Sequence, residues 1–237
     1  MDRRVLAEGL GSALLLATIV GSGIMGERLA GGNVALALLA NTLATGAALV
    51  ALISAFAPIS GAHFNPVVTL VQALRRALPA REVPAYVAAQ VLGAFAGVVL
   101  AHAMFGEPML SASTHVRAGG AQALSEVVAT FGLVAVILAT EARRPASAPF
   151  VVGAYITAAY WFAASTSFAN PAVTLARAAT NTFAGIRPVD VPTFVVAELA
   201  GGAIALVAFA WLQRRPLLGR AKAAAAALAE AETDLRT

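Results

Sequence analysis

Three carboxylates, Glu8, Glu126 and Glu198, stand inside long apolar runs of this 237-residue chain, in "AEGLGSALLLATIVGSG", "SEVVATFGLVAVILAT" and "FVVAELAGGAIA". A carboxylate in such surroundings is costly to bury, so it is kept for what it does there, either relaying protons or accepting hydrogen bonds from backbone that has no other partner. His63 stands two residues before Asn65, in "GAHFNPVVTLV", where it can line or brace a polar passage. A close copy of that stretch, "SFANPAVTLAR", places Asn170 and Pro171 105 residues after Asn65 and Pro66. Cysteine is absent, which excludes disulfides and thiolate metal sites. The remaining histidines, His102 and His115, have no carboxylate or cysteine pattern around them, so no metal site is expected and both read as surface residues. No nucleophile and base occur in a catalytic pattern, and the chain does not read as an enzyme.

The composition says what must position these groups. Hydrophobic residues make up 59% and charged residues 12% of the chain, and the mean hydropathy is +0.81. That is more apolar surface than one soluble core can bury, and it indicates an integral membrane protein. A spanning helix needs about 20 apolar residues, and six segments qualify, at residues 4–26, 34–57, 83–105, 121–140, 148–166 and 190–212. The first begins after Arg3 and Arg4 like a signal peptide, but its run is too long and it reads as a retained helix. Of the 16 Lys and Arg residues, only Arg28, Arg117, Arg177 and Arg187 fall at the end opposite to the rest. By the positive-inside rule both termini are cytoplasmic. The basic residues form no stripe, so nucleic acid is not a partner. After residue 213 the Ala-rich, mixed-charge segment 214–237 is expected to be a cytoplasmic tail.

The chain repeats itself. Glu8 corresponds to Glu126, Gln90 in "YVAAQVLGAFAG" to Glu198, and an Asn-Pro stretch lies between each pair, giving repeats at about residues 5–105 and 121–212. Each repeat holds three spans, an odd number, so the second must cross the membrane upside down relative to the first. Inverted repeats put a pathway at the interface of the halves, near the midplane. The helix starting at Pro66 and reaching about Arg76 would be roughly 16 Å long at 1.5 Å per residue, half a bilayer core, and therefore re-entrant. Asn-Pro starts such a helix well: Asn caps it through its side-chain oxygen, and Pro at the first position lacks an N–H that would have no partner. Irregular backbone before each cap is tolerated at membrane depth only when buried or facing a watery cavity. Gly93 with Gly97, and Gly201 with Ala205, read as small-residue packing contacts between helices of one protomer.

This pattern resembles the aquaporin and aquaglyceroporin family of major intrinsic proteins over about residues 5–212. The signature boxes are Asn65-Pro66-Val67 and Asn170-Pro171-Ala172. The resemblance implies an all-α membrane protein, with six transmembrane helices and two re-entrant half-helices in an inverted repeat, assembled as a homotetramer in the cell (inner) membrane. It implies a passive channel without cofactor, in which Asn65 and Asn170 donate to the passing molecule at mid-membrane. Glu8 and Glu126 would brace the re-entrant loops, and His63 would line the cytoplasmic half. Counting from the boxes as in the family puts a second constriction at Thr45, Ala158, Ser167 and Val173. Relatives selective for water carry an aromatic residue, a His and an Arg there, and this chain departs from that pattern. The departure implies a wider filter, passing water, glycerol- or urea-like solutes, and neutral metalloid hydroxides such as arsenous acid. Arg177, one turn beyond Val173, reads as a surface or loop-holding residue. Two other readings remain: an ion- or proton-coupled secondary transporter, which needs a gradient and saturates, and a structural membrane protein with a closed pore, which passes no water.

Overall fold

A computed structural model describes residues 2–213; the expected tail at 214–237 lies outside them. Eight α-helices are present and no strands among the described residues: α1 (Arg3–Leu29), α2 (Val34–Ser60), α3 (Pro66–Leu74), α4 (Val83–Phe105), α5 (Gly120–Glu141), α6 (Ala148–Phe162), α7 (Pro171–Arg177) and α8 (Val191–Leu212). Their boundaries follow local chemistry. Asp2 and Asn33 cap α1 and α2 by accepting from the N–H groups of Arg4 and Leu36, and α2 and α4 end at Gly61 and Gly106, both left-handed as helix ends prefer.

Five helices, or helices with a leading 3-10 turn, are long and apolar enough to cross a membrane. The sixth span, expected over 148–166, is shorter. The α6 helix has 15 residues, about 22 Å at 1.5 Å per residue, because the chain leaves it at Ala163 in extended conformation to enter the second re-entrant loop.

The helices pair by repeat, α1 lying along α4 and α5 along α8. Glycine permits the close approach. A Cβ on Gly97 would collide with the Ala13 carbonyl oxygen, and one on Gly201 with that of Val127. Outside, large apolar side chains such as Leu92 (71% exposed) and Val207 (70%) face away from the protein, as a lipid-facing surface requires. Inside, the core is threaded with polar groups, for example the Asn41 amide donating to the Ile19 carbonyl at 2.7 Å.

The ion pairs mark two ends. Arg4–Glu82 (2.6 Å) and Arg75–Glu141 (2.8 Å) lie at one end, and Arg28–Glu107 (2.8 Å) and Arg187–Asp190 (2.9 Å) at the other. The first end also holds the last described residue, as Gln213 donates to the Leu138 carbonyl. The α1 helix starts at this end, whereas α5 finishes there, so the two repeats run in opposite directions.

Candidate functional site

The two short helices are both capped by asparagine. Asn65 Oδ1 accepts from the N–H of Val67 at 2.9 Å, and Asn170 Oδ1 from those of Ala172 at 3.0 Å and Val173 at 3.4 Å. Pro66 and Pro171 occupy the first helical position. Each asparagine amide then reaches into the other repeat: Asn65 Nδ2 donates to the Ala169 carbonyl and Asn170 Nδ2 to that of Phe64, both at 2.7 Å. An amide nitrogen has two hydrogens. One therefore ties the two loops together, and only the second is free for a solute.

The loops before the caps are held in an unusual shape. Ala62 and Phe64 in the first, and Ser167 and Ala169 in the second, have φ between 49° and 53°, a left-handed conformation that costs roughly 1–2 kcal/mol per non-glycine residue. The positions correspond pairwise at the repeat spacing. Such strain persists when the surroundings over-determine it, and the buried glutamates do so. Glu8 accepts from the N–H groups of His63 and Phe64, from Ser60 Oγ and from Gln90 Nε2, at 2.6–3.0 Å. Glu126 accepts from the N–H groups of Phe168 (2.9 Å) and Ala169 (2.7 Å). With these N–H groups turned toward the glutamates, the carbonyls of Phe64 and Ala169 are left for the asparagine amides. Asn170 N–H and Thr174 Oγ1 donate to Glu198.

Between the loops runs a cavity of about 100 Å³, enough for several waters. At one end it is lined by His63, Gln72 and Glu141, at its middle by Asn65 and Asn170, and at its other end by Thr45, Ser167, Val173, Tyr160 and Arg177. Val67 and Ala172 point elsewhere. Val67 packs where a Cβ on Gly202 would stand, and Ala172 lies in the apolar core. His63 shares a hydrogen bond with Thr69 Oγ1 at 3.1 Å.

Two expectations are corrected here, and a third is narrowed. Ala158 does not line the cavity and is exposed. The α6 face that lines it is Val152, Ile156 and Tyr160, one residue per turn, and a position two residues away lies about 200° around a helix. Tyr160 takes the place instead, its hydroxyl meeting Thr45 Oγ1 at 3.3 Å. Of the two roles expected for Arg177, the structure gives the loop-holding one and not the surface one. Arg177 is 2% exposed and lines the cavity, its Nε donating to the Ala184 carbonyl and its guanidinium stacked on the Phe168 ring at 3.4 Å. His102, expected at the surface, is fully buried, with Nε2 at 2.7 Å from Thr180 Oγ1.

A second guanidinium, missed in the sequence, approaches from the loop between α4 and α5. Arg117 lies 4.9 Å from the Phe168 ring centroid and donates to the carbonyls of Gly185 (2.8 Å) and Ser165 (3.0 Å). Burial lowers its pKa from the ordinary arginine value, opposed by the nearby Glu126 and Tyr160. Ser167 Oγ, buried at the cavity wall, has no hydrogen-bond partner among the described residues.

Two half-helices meeting cap to cap, with their asparagines crossed at the centre of an inverted repeat, define a membrane pore fold. The chain belongs to the Major intrinsic protein family, whose profile matches residues 1–168. It is 58% identical over 220 residues to the Aquaglyceroporin AqpS of Rhizobium meliloti (strain 1021), covering 92% of this chain and 94% of that protein. It is 30% identical over 241 residues to the Aquaporin Z of Bradyrhizobium diazoefficiens, covering 94% and 99%. In three dimensions it is similar to the aquaglyceroporin from Plasmodium falciparum, with a TM-score of 0.67 at 22% identity, over 86% of this chain and 93% of that one, a likeness of fold.

Proposed function

We propose that the protein is a passive membrane channel for water and small neutral solutes of glycerol size, performing no chemistry on them. The observation that carries this reading is the cavity itself, which passes between the N-termini of α3 and α7 and beside both asparagines. Helix N-termini carry partial positive charge, so a solute oxygen is drawn to the centre while cations are opposed. The free hydrogens of Asn65 and Asn170 orient that oxygen and interrupt a proton-conducting file of water. The chain's similarity to a protein named an aquaglyceroporin supports glycerol as a solute.

Selectivity falls to the end lined by Thr45, Tyr160, Ser167, Val173 and Arg177. Ser167, Thr45 and the Arg177 guanidinium offer hydrogen bonds along one side of a polyol, while Val173 and Ile156 contact its carbons. Val173 leaves room that an arginine would fill, and Tyr160 and Arg177 make the filter narrower than the four expected small side chains would. Arsenous acid, small, uncharged and hydroxylated, fits the same chemistry as glycerol. His63 lines the cytoplasmic half, and Glu8 and Glu126 act as braces, which supports a channel over a proton-coupled transporter. The distribution of basic residues supports cytoplasmic termini in the inner membrane, and the exposed apolar faces suit lipid and the subunit contacts of a homotetramer.

The test is stopped-flow light scattering of proteoliposomes in gradients of sucrose, glycerol, urea and arsenous acid. The reading expects water flux and flux of at least one larger solute that neither saturates readily nor depends on a proton gradient. Saturable, gradient-dependent flux would indicate the transporter, and absent water flux a closed-pore protein.

A further inference from the structure

The repeats correspond group by group except behind the second loop. In the first repeat, Gln90 Nε2 donates to Glu8 (2.8 Å) and to Thr69 Oγ1 (2.8 Å). In the second, Glu198 occupies the place of Gln90, Glu126 that of Glu8 and Thr174 that of Thr69. Glu198 Oε1 accepts from Asn170 N–H (3.1 Å) and from Thr174 Oγ1 (2.6 Å). Its Oε2 has no partner among the described residues, as Gln90 Oε1 has none in the first repeat, and both glutamates are 0% exposed and neighbours. Both Glu126 oxygens accept backbone N–H bonds, so Glu126 is the accepting member of the pair. As a carboxylate, Glu198 would supply no donor where Gln90 supplies two, and would add a second buried negative charge beside the first, which a protein avoids by neutralising one group.

We propose that Glu126 and Glu198 form a proton-sharing pair, in which a proton on the Glu198 carboxyl is donated to Glu126 as the Gln90 amide is donated to Glu8. The pair is then a proton-binding site, and Glu198 a positioning residue: it acts on the pore through Glu126 and through the Asn170 N–H. The charges around it agree. Arg177 on α7 and Arg117 from the α4–α5 loop are the cations near the pair, Tyr155 on α6 lies near Glu126 and Tyr160 near the two arginines, and α3, which also packs on α8, has no titratable side chain. One shared proton leaves the pair with a single negative charge opposite Arg177; loss of the proton leaves two.

Infrared spectroscopy of the protein in liposomes tests this without reference to solute flux. At neutral pH the wild type should show the carbonyl stretch of a protonated carboxylic acid, clear of the amide bands. Glu198→Gln should lose that band while keeping the wild-type melting temperature, because glutamine repeats the Gln90 donor. Raising the pH until the band disappears should lower the melting temperature of the wild type and leave Glu198→Gln unchanged. The reciprocal Gln90→Glu should gain a second protonated band. A wild type without the band, a band that survives in Glu198→Gln, or a Glu198→Gln protein that fails to fold would each overturn the proposal. Failure of the channel reading would show only in the flux.

Discussion

Around the first asparagine, Glu8 gathers four donors, two from the backbone and two from the side chains of Ser60 and Gln90. Around the second, Glu126 receives two backbone donors and a second carboxyl, Glu198, takes the N–H of Asn170 and the hydroxyl of Thr174. The loops they hold are alike, with left-handed residues at matching places and amides crossed at equal length. The pore centre is therefore set by where N–H groups are collected, and more than one set of side chains can collect them. The first repeat does so with neutral donors around one carboxylate. The second concentrates charge, two carboxyls with Arg117 and Arg177, on the Arg177 side of the cavity.

Removing the collectors should separate the halves most strongly. Glu8→Ala strands four donors, Glu126→Ala two backbone N–H groups and the proposed Glu198 proton, and each buried donor left without a partner costs about 1–3 kcal/mol. Both variants should lose water flux to the liposome background, and Glu8→Ala should melt lower than Glu126→Ala in detergent. Equal melting would mean that the side-chain donors of the first repeat contribute nothing.

Helix packing ranks next, since Gly93 and Gly201 hold equivalent positions on α4 and α8. Gly93→Ala puts a methyl against the Gly9 carbonyl and Gly201→Ala one against that of Val127. Each should destabilise by about 1–3 kcal/mol, the usual range for overpacking, read as a shift in thermal melting with flux retained in the folded fraction. A large difference between them would show that the two helix pairs are not equivalent supports.

Charge at the filter is asymmetric, and Arg177→Ala probes it. Loss of the guanidinium from the wall should raise glycerol flux relative to water by several-fold, a few tenths to about 1 kcal/mol of barrier, in the stopped-flow assay. The smallest effect is expected at the rim, where Arg4 and Glu82 are about one third and one fifth exposed. Arg4→Ala should change stability by less than about 1 kcal/mol, as such pairs do, and leave flux unaltered.

The repeat, the half-helices and the bracing glutamates were legible in the sequence because each rests on a local rule: a cap, a proline, a carboxylate in an apolar run. The contacts that depend on helix rotation or on distant partners were not. Ala158 was placed by counting from Asn170, but the face α6 turns to the cavity is decided by its packing, which selects Tyr160. Arg177 turns inward because Phe168 and the Ala184 carbonyl receive it, and His102 is buried because Thr180, 78 residues away, closes over it. Nothing in the neighbouring sequence of these residues signals those partners. The unequal pair Gln90 and Glu198 was visible as a mismatch in the repeat, yet only the unpartnered oxygen of Glu198 gives the mismatch its chemistry.

The central claim is that water and a glycerol-sized solute pass one pore whose width depends on Val173. Stopped-flow scattering of proteoliposomes holding wild type or Val173→Arg tests it most directly. The wild type should conduct water and glycerol well above protein-free liposomes, and Val173→Arg should keep water flux while lowering glycerol flux by roughly tenfold or more, about 1.4 kcal/mol of added barrier. Wild-type liposomes that pass water but exclude glycerol, urea and arsenous acid alike would contradict the account.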